Sequence, residues 1–199
     1  MGIADSFPGM TFVPTLPVGD PISFSWKSDQ FGDWQQSGNW GPVGMPNAVN
    51  HSATFGDVIS TTQTVFTNIP VSVREVQFDS VQGYVVVGAG TILVSQGTSS
   101  ATTISALQGM NQFQVAVKLL TNTSVDVSGA AAVIFNNALD VNGNRLTKSG
   151  EGTLVINNQL FMGGCRGGRW SCRGSRNDPG RCEKQRRNVS SWKSRGEHW

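Results

Sequence analysis

Five carboxylates and three indoles are the side chains of this sequence whose types and spacing could do chemistry. Asp29 and Asp33 lie among the tryptophans Trp26, Trp34 and Trp40, and Asp57, Glu75 and Asp79 follow within a few short segments. A glycosidase needs two carboxyl groups roughly 5–10 Å apart, and an indole face stacks on a pyranose ring. Those two features together would make a polysaccharide hydrolase or lyase, or a glycan-binding module. Solvated surface acids are the plainer role for all five carboxylates, so no catalytic residue is assigned. For Trp26, Trp34 and Trp40 the plainer role is an aromatic lid over the open end of a β-stack, because an exposed terminal strand templates aggregation.

Other chemistries lack their parts. There is no G-x-S-x-G elbow, no H-E-x-x-H and no phosphate-binding glycine loop with lysine, and the first 164 residues hold a single histidine, His51. His51 stands between Asn50 and Ser52, a turn context. Asp140-Val141-Asn142-Gly143-Asn144 with Glu151 mimics the ligand order of a calcium loop. Arg145, however, takes the sixth position, where a sharp turn demands glycine. Asn142-Gly143 reads better as a tight turn. Cys165, Cys172 and Cys182 have x6 and x9 spacings with only His198 nearby, which is not a zinc pattern. No cofactor and no metal are expected.

The elements that would position these residues are short strands. Leu146 to Ile156, LTKSGEGTLVI, reads as strand, glycine turn, strand: Leu146, Leu154 and Ile156 point one way at a period of two, and polar residues take the other face. Gly150 and Gly152 stand where the chain must bend with positive φ. Similar units recur about every ten residues from Gln63 to Leu160, among them Ser72–Phe78, Tyr84–Val87, Phe113–Leu119 and Ala132–Phe135. Their inward residues are medium aliphatics, Thr and Asn recur at turns where like residues can ladder, and no 3.6-residue period supports crossover helices. A solenoid satisfies all three observations.

The chain has 199 residues with 24 glycines, enough for one domain with a usable core. Its net charge of +2 averages two unlike parts. Residues 1–164 hold five Lys or Arg against ten Asp or Glu and no cysteine, while residues 165–199 hold ten basic residues against three acidic ones and all three cysteines. Four prolines mark residues 1–22 as an irregular leader, without the basic and apolar regions of a signal peptide. Residues 23–57 form the tryptophan-rich cap unit, 58–164 the rungs, and 165–199 a basic tail whose one aliphatic side chain, Val189, cannot build a core. That tail is expected to be disordered. It reads either as a basic arm, with Trp170, Trp192 and Trp199 for stacking, or as translation in a shifted frame, and the second is favoured. The acidic body carries no nucleic-acid signature, so nucleic acid is not an expected partner. No segment approaches the roughly 20 apolar residues of a membrane helix.

Trp26 through Phe55, with Ser37-Gly38-Asn39-Trp40, Met45-Pro46-Asn47-Ala48 and Ala53-Thr54-Phe55, resembles the opening unit of bacterial passenger-type proteins bearing autotransporter-associated β-strand repeats. Leu146 to Leu154 resembles the repeat itself, and Val76-Gln77-Phe78-Asp79, Gly83-Tyr84 and Gly88-Ala89-Gly90-Thr91-Ile92 fit intervening rungs. The similarity covers residues 24–164 and departs from the repeat pattern after Gly164. It implies an all-β chain folded as a right-handed parallel β-helix (β-solenoid), on secreted or outer-membrane-anchored proteins that are often adhesins. The expectation is a fragment of an extracellular or cell-surface protein with a scaffolding or adhesion role and glycans or a neighbouring cell surface as partners. The alternative is a carbohydrate-active enzyme or glycan-binding module built on the acids near the Trp cluster.

Overall fold

A computed structural model describes residues 19–97, 101–158, 160–161, 170–175 and 178–184. Most of the leader and the rest of the tail lie outside the described residues. In chain order the first strands are β1 (Ile22–Trp26), β2 (Gly32–Asp33), β3 (Trp40–Gly41), β4 (His51–Phe55), β5 (Gln63–Phe66) and β6 (Val71–Val73). Then come β7 (Glu75–Phe78), β8 (Tyr84–Val87), β9 (Thr91–Val94), β10 (Thr102–Ala106), β11 (Met110–Phe113), β12 (Ala116–Leu119) and β13 (Thr123–Val127). The last are β14 (Ala132–Phe135), β15 (Leu139–Asp140), β16 (Leu146–Ser149), β17 (Thr153–Ile156), β18 (Leu160–Phe161), β19 (Trp170–Ser175) and β20 (Asp178–Lys184).

A strand of four residues cannot bury its own apolar face, so the chain coils and stacks each strand on the equivalent strand one turn later. The first sheet runs β1-β4-β7-β10-β13-β16 with β3 along its outer edge, the second β2-β5-β8-β11-β14-β17, and the third β6-β9-β12-β15-β18. Within these three runs every neighbour is parallel. Each turn therefore visits the three sheets in order, which is a parallel β-solenoid. Ser23 pairs with Ser52, Ser52 with Glu75, Glu75 with Thr103, Thr103 with Ser124 and Ser124 with Thr147, so along this sheet one turn takes 21 to 29 residues.

Alternation places the core. Phe24, Ala53, Val76, Ile104 and Val125 form one buried column down the first sheet, and Val65, Val86, Phe113, Phe135 and Ile156 form another down the second. Phe55 stacks on Phe78 at 5.2 Å and Phe113 on Phe135 at 5.1 Å. The expected ladders form at the turns: Asn157 Nδ2 donates to Asn136 Oδ1 at 2.7 Å, and the Thr102 and Thr123 hydroxyls lie 2.9 Å apart.

Three expectations need correction. Ser72–Phe78 and Phe113–Leu119 are each two strands, broken by a corner at Arg74 and at Gln114-Val115. Lys148, expected on the polar face, continues the interior column over Val125 at 5% exposure. Its stem packs inside while Nζ donates to the Ser149 and Gly150 carbonyls at 3.1 and 2.6 Å. Burial lowers its pKa, and the charge of Asp126 pulls the other way. Third, Gly150 has the positive φ of a turn (74°), but Gly152 is needed for space, since a Cβ there would lie 2.7 Å from the Ala131 carbonyl oxygen.

Asn111 is the polar interruption of the second sheet's interior. It is fully buried, aligned between Tyr84 and Val133. Its Oδ1 accepts from Tyr84 N at 3.0 Å and its Nδ2 donates to the Gln108 carbonyl at 2.9 Å. Leucine at this site fits the column but orphans both backbone groups. Asn111→Leu is expected to lower the unfolding free energy by about 2 kcal/mol in urea titrations.

In the tail, β19 pairs antiparallel with β17 and β20 with β19, extending the second sheet. Backbone pairing of this kind covers the last parallel strand without requiring apolar side chains.

Candidate functional site

The lid is assembled first. Trp26 ends β1 and pairs across to Trp40 at the head of β3, while Trp34 directly follows β2. The three rings converge on Phe55: Trp34 and Trp40 lie 5.1 Å apart, and each sits within 5.6 Å of the Phe55 ring. Trp26 meets Trp40 edge-on at 5.1 Å. Each indole N–H has a backbone acceptor, Ser28 for Trp26, Pro46 for Trp34 and Trp34 for Trp40, at 2.8–2.9 Å. The exposures are 3%, 0% and 0%. Every indole face is therefore spent on protein, and none is left to stack on a sugar.

The carboxylates act as staples. Asp29 Oδ1 accepts from Ser60 N at 2.7 Å and from Ser60 Oγ at 3.1 Å. Asp57 accepts from Ser80 Oγ at 3.0 Å, and Asp79 from Gln108 Nε2 at 2.9 Å. Glu75 takes Ser52 Oγ at 3.2 Å and Arg74 at 3.1 Å, and Asp33 caps Gln35 N at 2.8 Å. The buried Tyr84 hydroxyl donates to the Gly56 carbonyl at 2.6 Å. Burial first, then the charges of Asp57 and Asp29, hold that phenol well above its ordinary pKa. Glu75 lies on the outer face of the first sheet and Asp33 on the first strand of the second.

His51, expected in a turn, instead opens β4 directly after one, its N–H donating to the Ala48 carbonyl at 2.9 Å. Its Nδ1 accepts from Asn47 N at 3.1 Å and its ring lies 4.9 Å from Phe24. Burial lowers its pKa below the ordinary 6.5, against a backbone hydrogen bond with Met45 that raises it. The folded chain thus binds the proton less well than the unfolded one. Stability is full above the unfolded value and falls as pH drops through it, until the folded value is passed. Urea midpoints are expected to decline between pH 7.5 and 5.5, and His51→Gln is expected to flatten that decline.

Two features escaped the sequence. On the third sheet, a shallow groove of about 320 Å³ is lined by Thr91, Ala116, Val117, Lys118, Ala138 and Asp140. Lys118 Nζ and Asp140 Oδ2 face each other at 3.4 Å beside it. The recurrence of alanine at 116 and 138, one turn apart, was the available signal. Asp140 also accepts from Asn142 N at 2.8 Å, and Asn142-Gly143 makes the tight turn with φ of 49° and 77°. The second feature is Phe31, 69% exposed and braced edge-on by Phe66 at 6.2 Å. Among the described residues no helix is long and apolar enough to cross a membrane. No protein-family model matches the chain, and no curated protein or solved structure matches it.

Proposed function

We propose that the chain is part of a secreted or cell-surface bacterial protein, of the kind bearing autotransporter-associated strand repeats, in which the solenoid serves as scaffold and adhesion surface. The observation that carries this reading is the use made of the polar side chains. Asp29, Asp57, Glu75 and Asp79 each reach a different segment of a neighbouring turn, and the Thr and Asn ladders do the same. Such groups stiffen a rod rather than converge on a reacting bond. A stack closed at one end by buried aromatics presents its outer faces along its whole length.

The test couples two assays on the full chain: binding of chain-coated beads to bacterial and epithelial cell surfaces, and release of reducing ends from a polysaccharide panel. Cell binding without release is expected. Release that Asp57→Asn or Asp29→Asn abolishes would replace this reading with a glycoside hydrolase or lyase.

A further inference from the structure

The three outer faces of the solenoid differ in chemistry. Outward positions of the first sheet are Ser52 and Thr54, Glu75 and Gln77, Thr103 and Ser105, Ser124 and Asp126, Thr147 and Ser149: polar on every strand from β4 to β16. The second sheet is the reverse. From β5 to β17 its outward positions include Thr64 and Phe66, Val85 and Val87, Gln112, Ile134 and Val155. No Asp, Glu, Lys or Arg occupies any of them.

This strip has an aromatic end and an amide end. At the lid, the exposed Phe31 ring stands against Phe66, beside Asp33, which aligns with Phe66. Along the far rungs, Asn157 donates to Asn136 and Asn136 Nδ2 to Gln112 Oε1, at 2.7 and 2.9 Å. In that chain Asn136 uses one N–H and one lone pair and keeps one of each for a hydroxyl group, which is itself both donor and acceptor.

Size and charge choose the occupant. Six strands from β2 to β17 at 4.8 Å spacing, and about four residues each, give a strip of about 24 by 13 Å, or roughly 310 Å². A stable protein–protein interface needs about 800 Å² per partner, so a second copy is poorly served. Up to β17 the strip offers no cation to an anionic lipid headgroup, arginine entering the sheet only with β19, where Arg173 aligns with Thr153, and the Asp33 carboxylate at the opposite border repels polyanions. An elongated, uncharged, hydroxyl-rich chain with apolar ring faces matches what remains. We propose that the outer face of the second sheet, from Phe31 to the Asn136–Asn157 ladder, binds a neutral polysaccharide chain. This rests on the adhesion reading and gives it a glycan contact at Phe31, away from the buried tryptophans of the alternative glycan-binding reading.

The experiment is calorimetric titration of the full chain with cellohexaose, xylohexaose and mannohexaose, with hexagalacturonate as the anionic counterpart. Phosphatidylcholine vesicles and analytical ultracentrifugation test the other occupants. At least one neutral hexasaccharide is expected to bind and hexagalacturonate is not. Phe31→Ala is expected to weaken binding at least tenfold and Val87→Glu to abolish it, while Thr147→Glu on the first sheet leaves it unchanged. Phe31 is 69% exposed, with its ring against Phe66, so its variant is expected to stay folded by far-ultraviolet circular dichroism and keeps the test decisive. Absence of binding to all three neutral chains, or binding indifferent to Phe31→Ala, overturns the proposal. So does vesicle binding or self-association that these two variants remove. Beads that still bind cells when the glycans fail leave the adhesion reading standing and remove only this strip.

Discussion

Replacing Trp34 with alanine is expected to lower the unfolding free energy by about 3–5 kcal/mol, the usual cost of emptying a buried aromatic site. Its ring is wholly buried, packs on Trp40 and Phe55, and donates to the Pro46 carbonyl at 2.9 Å. Alanine leaves a void at the point where three segments of the lid meet, and the Pro46 carbonyl loses its donor. Because domains are stable by only about 5–15 kcal/mol, this is a large share of the total. The cost also falls on the end of the stack, so the variant is expected to aggregate at concentrations where the parent does not, through the terminal edges at β3 and β2. Urea titration followed by circular dichroism, with light scattering on the same samples, reads both effects. Phe31→Ala is the contrast: at 69% exposure it is expected to change stability by less than about 0.5 kcal/mol. A loss under about 1 kcal/mol for Trp34→Ala would mean that the tryptophans do not close the stack.

The fold was legible where one rule decides the outcome. Alternation at a period of two put Leu146, Leu154 and Ile156 on one face, and Leu154 and Ile156 are buried while Leu146 packs half-buried against the same core. Corners were harder for a specific reason. In Phe113–Leu119 the buried residues 113, 115, 117 and 119 keep the same parity through the bend, so nothing in the alternation marks it. In Ser72–Phe78 the parity does switch, from Val73 to Val76, and that switch was the readable mark of the corner at Arg74. Lys148 was misplaced because charge was taken to outrank parity, whereas two turn carbonyls at the strand end let an ammonium end an interior column. The candidate site was the least legible part. Residue type showed that Trp26, Trp34 and Trp40 belong together, but only packing shows which faces are consumed. The apolar outer face of the second sheet needs the rung register, and a turn that varies from 21 to 29 residues hides that register in the linear order.

Gly88→Ala tests the register at its tightest point. Gly88 lies at the corner between β8 and β9 with φ of +133°, and a Cβ there would stand 2.0 Å from the Thr67 carbonyl oxygen of the preceding turn. That oxygen accepts from Gly90 N at 3.0 Å, and Thr67 N donates to Val87 O at 2.8 Å. The backbone strain of a side chain at such a φ is worth about 1–3 kcal/mol. Parting the two turns to admit a methyl group forfeits the two hydrogen bonds at about 1 kcal/mol each. The expected total is about 3–5 kcal/mol on those grounds. The same substitution at Gly143, where φ is +77° and nothing lies within 4 Å of the new atom, carries the strain without the collision. It is expected to cost about 1–2 kcal/mol. Urea midpoints of the two variants measure the difference. Ile92, four residues past Gly88, must land on Val71 for the third sheet to stack, so the extra loss at Gly88 reports the price of moving one rung off the next. Equal losses at the two glycines would mean that the corner yields freely and that the spacing between turns is set by the strands and not by the close approach of Gly88 to Thr67.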